Sequence, residues 1–528
     1  MRGIDRRSFL KGAAATAGAL AVGPTLWTKP GFAAVPPAGA HLAFGTDPST
    51  SMTVVWSTPE PVANPRLIVD VGGDLVTWVA ETRTVPDSLT QVLIKHVGTN
   101  YHRATVTGLA PGTAYDYVLR HDGGELVDGL SFATAPSNAS AFTFTAFGDQ
   151  GIHDASALIN QQIAAMRPAF NLVAGDLCYA DNLGFGLVID ALQFDPNTWD
   201  RWFAQGGAAM ATTPFMAALG NHDIEPGYGD HGYVGHHARL PTPDGGFSEH
   251  VYSFRYGNIG VVSLDANDIS EEIPSNAGYT GGGQTAWLDG TLAALRADPT
   301  VDFIVVYFHH CAYCTMDSHG SDGGVRARWV PLFDTHAVDL VINGHNHGYE
   351  RTHPIRANSP TLDAPTGATV RPADDGTTYI CAGGGGQSLN AFVSPAFISH
   401  GPLANTLKAD AEIEDAPWSA VRDVAFSFLR VDVTPPSEGV TTMAITTLDA
   451  QGNQLDAVTL ERVRALASSA GAPAGTPAET GAGSGPSLPA TGGAQLVVPA
   501  AAASTAALGG LALARRLGRA ERIDELGP

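Results

Sequence analysis

Five short strings in this chain gather residue types that bind metal ions. In order they are Gly148-Asp149-Gln150-Gly151, Gly175-Asp176-Leu177-Cys178-Tyr179, Gly220-Asn221-His222-Asp223, Val306-Tyr307-Phe308-His309 and Gly344-His345-Asn346-His347. From them Asp149, Asp176, Tyr179, Asn221, His309, His345 and His347 offer two carboxylates, a phenol, an amide oxygen and three imidazoles, enough to hold two ions side by side. Ions roughly 3.5–4 Å apart need a shared ligand, and a carboxylate spans them with its two oxygens. Asp176 is the natural bridge, because its short loop lies between other candidate ligands. A phenol with an ordinary pKa of about 10 gives up its proton readily only beside strong positive charge, so Tyr179 points to a trivalent ion, most simply ferric iron. The imidazoles suit zinc, iron or manganese as a divalent partner. Each string alone has a plainer reading: Asp149 and Asp176 as helix caps, Asn221-His222 as a turn, Tyr179 as core, His345 and His347 as a polar loop. Those readings must hold five times over to displace the metal centre.

The elements that must position these residues alternate in type. Phe142 to Phe147 reads as a strand ending at Gly148-Asp149, Asp154 to Met166 as a helix, and Phe170 to Ala174 as a strand ending at Gly175-Asp176. This β-α-β unit puts acidic residues just past strand ends, where α/β sheets place their ligands. Val301 to Phe308 and Val338 to Asn343 repeat the pattern with histidines, and strands near Ala425–Val433 and Thr441–Leu448 read as an antiparallel closing section. Residues 38–137 have a different texture. Met52-Thr53-Val54-Val55-Trp56, Arg66-Leu67-Ile68-Val69, Thr105-Val106 and Tyr115-Asp116-Tyr117-Val118-Leu119 are short β-branched and aromatic runs. With Gly108-Leu109-Ala110-Pro111-Gly112 and Phe132-Ala133-Thr134-Ala135-Pro136, they resemble a fibronectin type III-like sandwich.

The site strings resemble the calcineurin-like metallophosphoesterases, and within them the purple acid phosphatases. The general family opens with Asp-x-His, whereas this chain has Gly151 at the histidine's place and gains Tyr179 three residues past Asp176. The likeness covers about residues 40 to 463, including Asp176-Leu177-Cys178-Tyr179-Ala180-Asp181 and Gly344-His345-Asn346-His347-Gly348-Tyr349-Glu350-Arg351. It implies an α/β fold class: the β-sandwich at 38–137, then an α/β/β/α metallophosphoesterase sandwich at 140–463. It also implies that Asp149, Tyr179 and His347 hold Fe(III), that Asn221, His309 and His345 hold a divalent metal (Zn, Fe or Mn), and that Asp176 bridges. His310 follows His309, but the Val306-x-x-His309 spacing and Tyr313 favour His309 as the ligand. The implied activity is hydrolysis of small phosphoric monoesters of acid-phosphatase type, with His222 and His319 as catalytic groups facing substrate and Asp223 orienting His222. A phosphodiesterase or nucleotidase on the same metal core is the alternative, decided by loops 182–213 and 228–247; a non-catalytic surface binding protein is another. Arg351 and Glu350 read as an ion pair remote from substrate.

The chain's 528 residues suit two domains plus appendages. A net charge of −23 and pI near 5.0 exclude a protein that coats nucleic-acid polymers. Arg6-Arg7-Ser8-Phe9-Leu10-Lys11, the small apolar run after it and Ala33-Ala34 match a twin-arginine signal over 1–34, with the twin-arginine translocase as partner. At the other end, residues 464–487 form an Ala/Pro/Gly-rich linker. Residues 488–528 begin with Leu488-Pro489-Ala490-Thr491-Gly492 and continue into an apolar stretch at 496–514 and Arg515-Arg516. That order resembles an LPxTG sorting signal, which implies sortase and peptidoglycan as partners and anchoring to the wall of a Gram-positive-type bacterium. A plain C-terminal membrane helix is the other reading. Cys178, Cys311, Cys314 and Cys381 make no disulfide framework. Cys178 and Cys311 adjoin candidate ligands and are expected near each other, as a disulfide, buried thiols or thiols beside the metals, with structural roles favoured for the cysteines.

Overall fold

The computed structural model of the chain describes residues 37–463 apart from 86–97, 125–126, 182–183, 185–188, 190–192, 227–231, 244–245, 394 and 401–411. The signal at 1–34, the linker at 464–487 and the sorting signal with its apolar stretch at 496–514 lie outside the described residues. Among those described, no helix is long and apolar enough to cross a membrane.

The β-branched and aromatic runs near the start fold into two four-stranded sheets. One has the order Ala38–Phe44, Ser51–Thr58, Asn100–Thr107, Glu81–Thr84; the other has Asp74–Val79, Ala63–Val71, Ala114–Asp122, Val127–Ala133. Alternate residues of each turn inward, so Val54 and Trp56 from one sheet share a core with Leu67, Val69, Tyr117 and Leu119 from the other. The result is the β domain that precedes the α/β domain.

Two seven-stranded sheets follow. The first runs Phe215–Ala218, Asn171–Ala174, Phe142–Phe147, Ser427–Val433, Val440–Asp449, Gln454–Val463, Ala368–Val370. Its first three strands are parallel, and Ser427–Val433 joins Phe142–Phe147 antiparallel, as the closing section predicted. The second runs Tyr252–Tyr256, Ile259–Ser263, Phe303–Tyr307, Leu340–Asn343, Thr378–Ala382, Tyr349–Thr352, Ser419–Asp423, with four central parallel strands. Parallel strands covered on both faces need continuous apolar runs, and Phe303–Tyr307 and Leu340–Asn343 are buried throughout. Their facing residues, such as Phe144, Leu172, Val305, Ile342, Val431 and Ile445, form one core between the sheets.

The β domain shares that core. The Phe44 ring lies 5.3 Å from Phe254 and 5.8 Å from Tyr256. Tyr117 donates its hydroxyl to the Ala211 carbonyl at 2.7 Å. On the far flank, Arg351 pairs with Asp456 at 2.6 Å, both side chains fully buried, and Tyr349 and Thr366 also donate to that carboxylate. Arg351 therefore pairs with Asp456 and not with its neighbour Glu350, which accepts from Thr315 and Ser419 instead. Removing one partner strands the other charge. Asp456→Ala is expected to cost about 3–5 kcal/mol, readable as a lower urea midpoint with the slope unchanged.

Candidate metal centre

All five strings leave their strands at the same edges. Asp149 follows Phe142–Phe147, Asp176 follows Asn171–Ala174, and Asn221 follows Phe215–Ala218 in the first sheet. His309 follows Phe303–Tyr307 and His345 follows Leu340–Asn343 in the second. The carboxyl ends of two packed sheets thus meet over one pocket. The loops there are forced into tight shapes. Asp149, Asp176, Tyr179 and His345 adopt left-handed backbone angles, with φ of 59°, 54°, 55° and 70°. Gly175, at φ 83°, has no room for a side chain, since a Cβ would come within 2.6 Å of His309 and 2.7 Å of the Gly220 nitrogen.

The seven residues come together in two groups. His309 Nε2 lies 3.0 Å from Asn221 Oδ1, 3.2 Å from Asp176 Oδ2 and 3.2 Å from His345 Nδ1. Tyr179 Oη lies 3.2 Å from Asp149 Oδ1 and 3.1 Å from His347 Nε2, which is itself 3.5 Å from Asp149 Oδ1. Asp176 stands between the groups, and its oxygen joins an oxygen of Asp149 and a ring nitrogen of His309 in a set of donors mutually within 4.8 Å.

Hydrogen positions follow from the partners on the far side of each ring. His309 Nδ1 faces the Ala174 carbonyl at 2.8 Å and His347 Nδ1 faces the Ser388 carbonyl at 2.7 Å, so both nitrogens carry protons. In the neutral rings, the other nitrogens present lone pairs to the pocket. His345 turns Nε2 toward Glu272 Oε2 at 3.4 Å and Nδ1 toward the pocket. Asn221 donates its amide to the Gly184 carbonyl, which aims Oδ1 inward. Lone pairs from three rings, two carboxylates and an amide therefore converge with few protons between them. Donors about 2.1 Å from a shared ion at right angles sit about 3 Å apart, which the spacings here match. The residues fit two metal ions.

The charge balance agrees. Burial opposes a charge on His309, yet Asp176 and Asp149 overcome it and push its pKa up to about 10. That field draws in any cation. Burial and the crowding of His319, His310 and His309 hold His345 well below its usual value, as a neutral ligand requires. Burial, Asp149 and Asp176 push the Tyr179 phenol well above its ordinary range, so only an adjacent ion of high charge would take its proton.

Two expectations need correction. Asp223 does not orient His222. Its carboxylate accepts the backbone N–H groups of Asp176 at 2.8 Å, Leu177 at 3.0 Å and Gly220 at 2.8 Å, because the short 3-10 turn Asn221–Asp223 aims it back into the loop. The residue facing His222 Nδ1 is Asp181, at 2.7 Å. Cys178 and Cys311 also lie apart: Cys178 packs with Trp199, Trp202 and Phe203, whereas Cys311 clusters with Cys314 and Cys381. All four are free, buried thiols. Cys311 donates to the Gly344 carbonyl at 3.0 Å and Cys381 to that of Asn346 at 3.2 Å, bracing the His345–His347 loop from behind.

The remaining residues lie around the pocket. The ring of His319 lies 3.8 Å from that of His345, tilted by 38°, and its backbone N–H reaches Asn346 Oδ1. His222 lies 4.5 Å from the Tyr179 ring. His310 is buried with Nε2 at 3.0 Å from Glu272, and its ring lies 4.4 Å from that of His345. Asp181 and Glu272 went unassigned in the sequence. Asp181 lies within the Asp176–Asp181 string and only its distance to His222 gives it a role; Glu272 has no spacing relation to any ligand string.

A fold of two packed mixed sheets with this donor set at their carboxyl edges is that of a metallophosphoesterase. The purple acid phosphatase N-terminal domain matches residues 37–145, the calcineurin-like phosphoesterase domain matches 142–349, and a twin-arginine translocation signal matches 3–23. An uncharacterized protein of Mycobacterium tuberculosis is 36% identical, over 84% of this chain and 92% of its own. Purple acid phosphatase 1 of Ipomoea batatas is 24% identical, over 67% of this chain and 72% of its own. Among solved structures, purple acid phosphatase PPD1 from yellow lupin seeds superposes with a TM-score of 0.63 at 22% identity, covering 81% of this chain and 75% of its own. The chain belongs to the purple acid phosphatase-like metallophosphoesterase family, and its signal marks it for export.

Proposed function

We propose that this protein hydrolyses small phosphoric monoesters at a dinuclear Fe(III)–divalent centre. The observation that carries the reading is the convergence of lone pairs from Asp149, Tyr179 and His347 on one side of Asp176 and from Asn221, His309 and His345 on the other. Two ions held there would neutralise phosphate oxygens and lower the pKa of water from about 15.7 to near 7 or below. Asp149, Tyr179 and His347 would hold the ferric ion, and the other three the divalent one (zinc, iron or manganese).

The chain's own groups supply the proton. Burial opposes charging His222, but Asp181 and Asp176 push its pKa up to about 10, so the ring carries a proton at neutral pH. With Nδ1 committed to Asp181, Nε2–H is the end available to donate to a departing alkoxide. His319, beside His345, would steady the phosphate. His222→Asn is expected to lower kcat about 10²–10⁴-fold. In Asp181→Asn the lifting charge is gone and His222 loses its proton at lower pH. The alkaline limb of the kcat–pH profile should move down by a unit or more, and an unmoved limb speaks against His222 as the acid.

Paired assays of an aryl monoester and a bis-aryl diester test the substrate class. Faster turnover of the monoester supports the proposal, preference for the diester favours the phosphodiesterase alternative, and no hydrolysis by metal-replete protein favours a binding protein. We also propose the partition 1–34, 38–137, 140–463, 464–487 and 488–528, with sortase joining Thr491 to the cell wall. That reading rests on the order Leu488-Pro489-Ala490-Thr491-Gly492, apolar stretch, Arg515-Arg516. Release of the protein by a muralytic enzyme, but not by detergent, would bear it out.

A further inference from the structure

The three ligating imidazoles are tied from behind in two different ways. His309 and His347 give their far N–H groups to backbone carbonyls, of Ala174 and Ser388. His345 instead turns Nε2 toward a side chain, the carboxylate of Glu272, at 3.4 Å. Glu272 is buried at 3% exposure, and the same oxygen meets His310 Nε2 at 3.0 Å. Its second oxygen lies 3.8 Å from His319 Nδ1. One carboxylate thus stands among three imidazoles, directly behind the divalent half of the centre.

We propose that Glu272 is the positioning residue for the divalent metal: by facing His345 Nε2 it keeps the proton there and delivers the Nδ1 lone pair to the ion. The inference rests on the dinuclear reading above. A carboxylate can only accept, so the ring facing it must present N–H, and the tautomer follows. The same contact selects between the adjacent histidines. Held by Glu272, His310 aims its Nε2 at that carboxylate while His309, tied to Ala174, enters the donor set. Charge gives a second reason. The divalent half takes neutral donors from Asn221, His309 and His345 and shares Asp176, so the carboxylate behind His345 adds negative charge where the first layer of ligands has little. The ferric half has Asp149 and Tyr179 of its own and does not depend on it.

That asymmetry makes the test. In Glu272→Gln an amide can turn its NH2 toward His345, which favours the wrong tautomer, and the charge is lost. Protein freed of its divalent ion is titrated with zinc or manganese against a competing chelator, while iron content and the visible absorption band are followed in the same samples. The expected result is about a 10–100-fold loss of divalent affinity with iron and band retained. Glu272→Asp, which keeps the charge and withdraws it by one methylene, should recover part of that loss and serves alone if the Gln variant does not fold. Equal affinity in wild type and variants overturns the inference and leaves the dinuclear reading standing. So does a third ion per wild-type chain that Glu272→Gln loses, since Glu272 would then be a ligand itself. A wild-type protein that takes up no divalent ion overturns the dinuclear reading and this inference with it.

Discussion

Asp176→Asn is expected to lower kcat/KM for a phosphate monoester by at least about 10³-fold, close to 4 kcal/mol in the barrier. Asp176 stands between the two donor groups, with Oδ2 at 3.2 Å from His309 Nε2 and Oδ1 accepting the backbone N–H of His222 at 3.0 Å. An asparagine keeps the size and one acceptor oxygen, so the loop held by Asp223 should persist. What it removes is the second anionic oxygen, and an amide NH2 cannot bind a cation. One metal site should empty, or both weaken, and metal analysis after gel filtration would show fewer than two ions per chain. Circular dichroism and urea unfolding should stay near wild type, which separates loss of the centre from loss of the fold. Full activity in this variant would sink the dinuclear reading.

The second large effect is optical. Iron-loaded protein should be coloured, because a phenolate bound to ferric iron absorbs visible light, and Tyr179→Phe should bleach it. The substitution removes a single oxygen, the one 3.2 Å from Asp149 and 3.1 Å from His347, and leaves the ring that packs at 4.5 Å from His222. Burial beside two carboxylates holds that phenol far above its ordinary pKa, so the colour would report the ion that overcomes them. A wild-type chain replete with iron yet colourless would rule out phenolate ligation, and Asp149 and His347 would need another partner.

Much of the donor set was legible because each string combines a strand with a terminal polar residue. An apolar run such as Val301–Phe308 announces both the strand and the point where it stops, and parallel packing then brings such ends together. The β-sandwich was legible for the same reason, through runs like Met52–Trp56. Contacts made between loops left no such trace. Glu272 lies far along the chain from every ligand string, and only the fold brings it behind His345. Asp223 misled for the opposite reason: it adjoins His222, but consecutive residues in a tight turn point different ways, and backbone amides claim its carboxylate. Arg351 likewise ignores Glu350 for Asp456, 105 positions away.

The left-handed backbone at Asp149, Asp176, Tyr179 and His345 sets a limit on how rugged this protein can become. Such angles cost of order 1 kcal/mol or more for each residue with a side chain, and glycine would relieve that cost. Glycine at any of the four would also delete a donor. Selection for heat resistance and selection for turnover therefore pull in opposite directions at these positions. Variants that gain melting temperature without losing turnover should carry their changes away from the pocket rim.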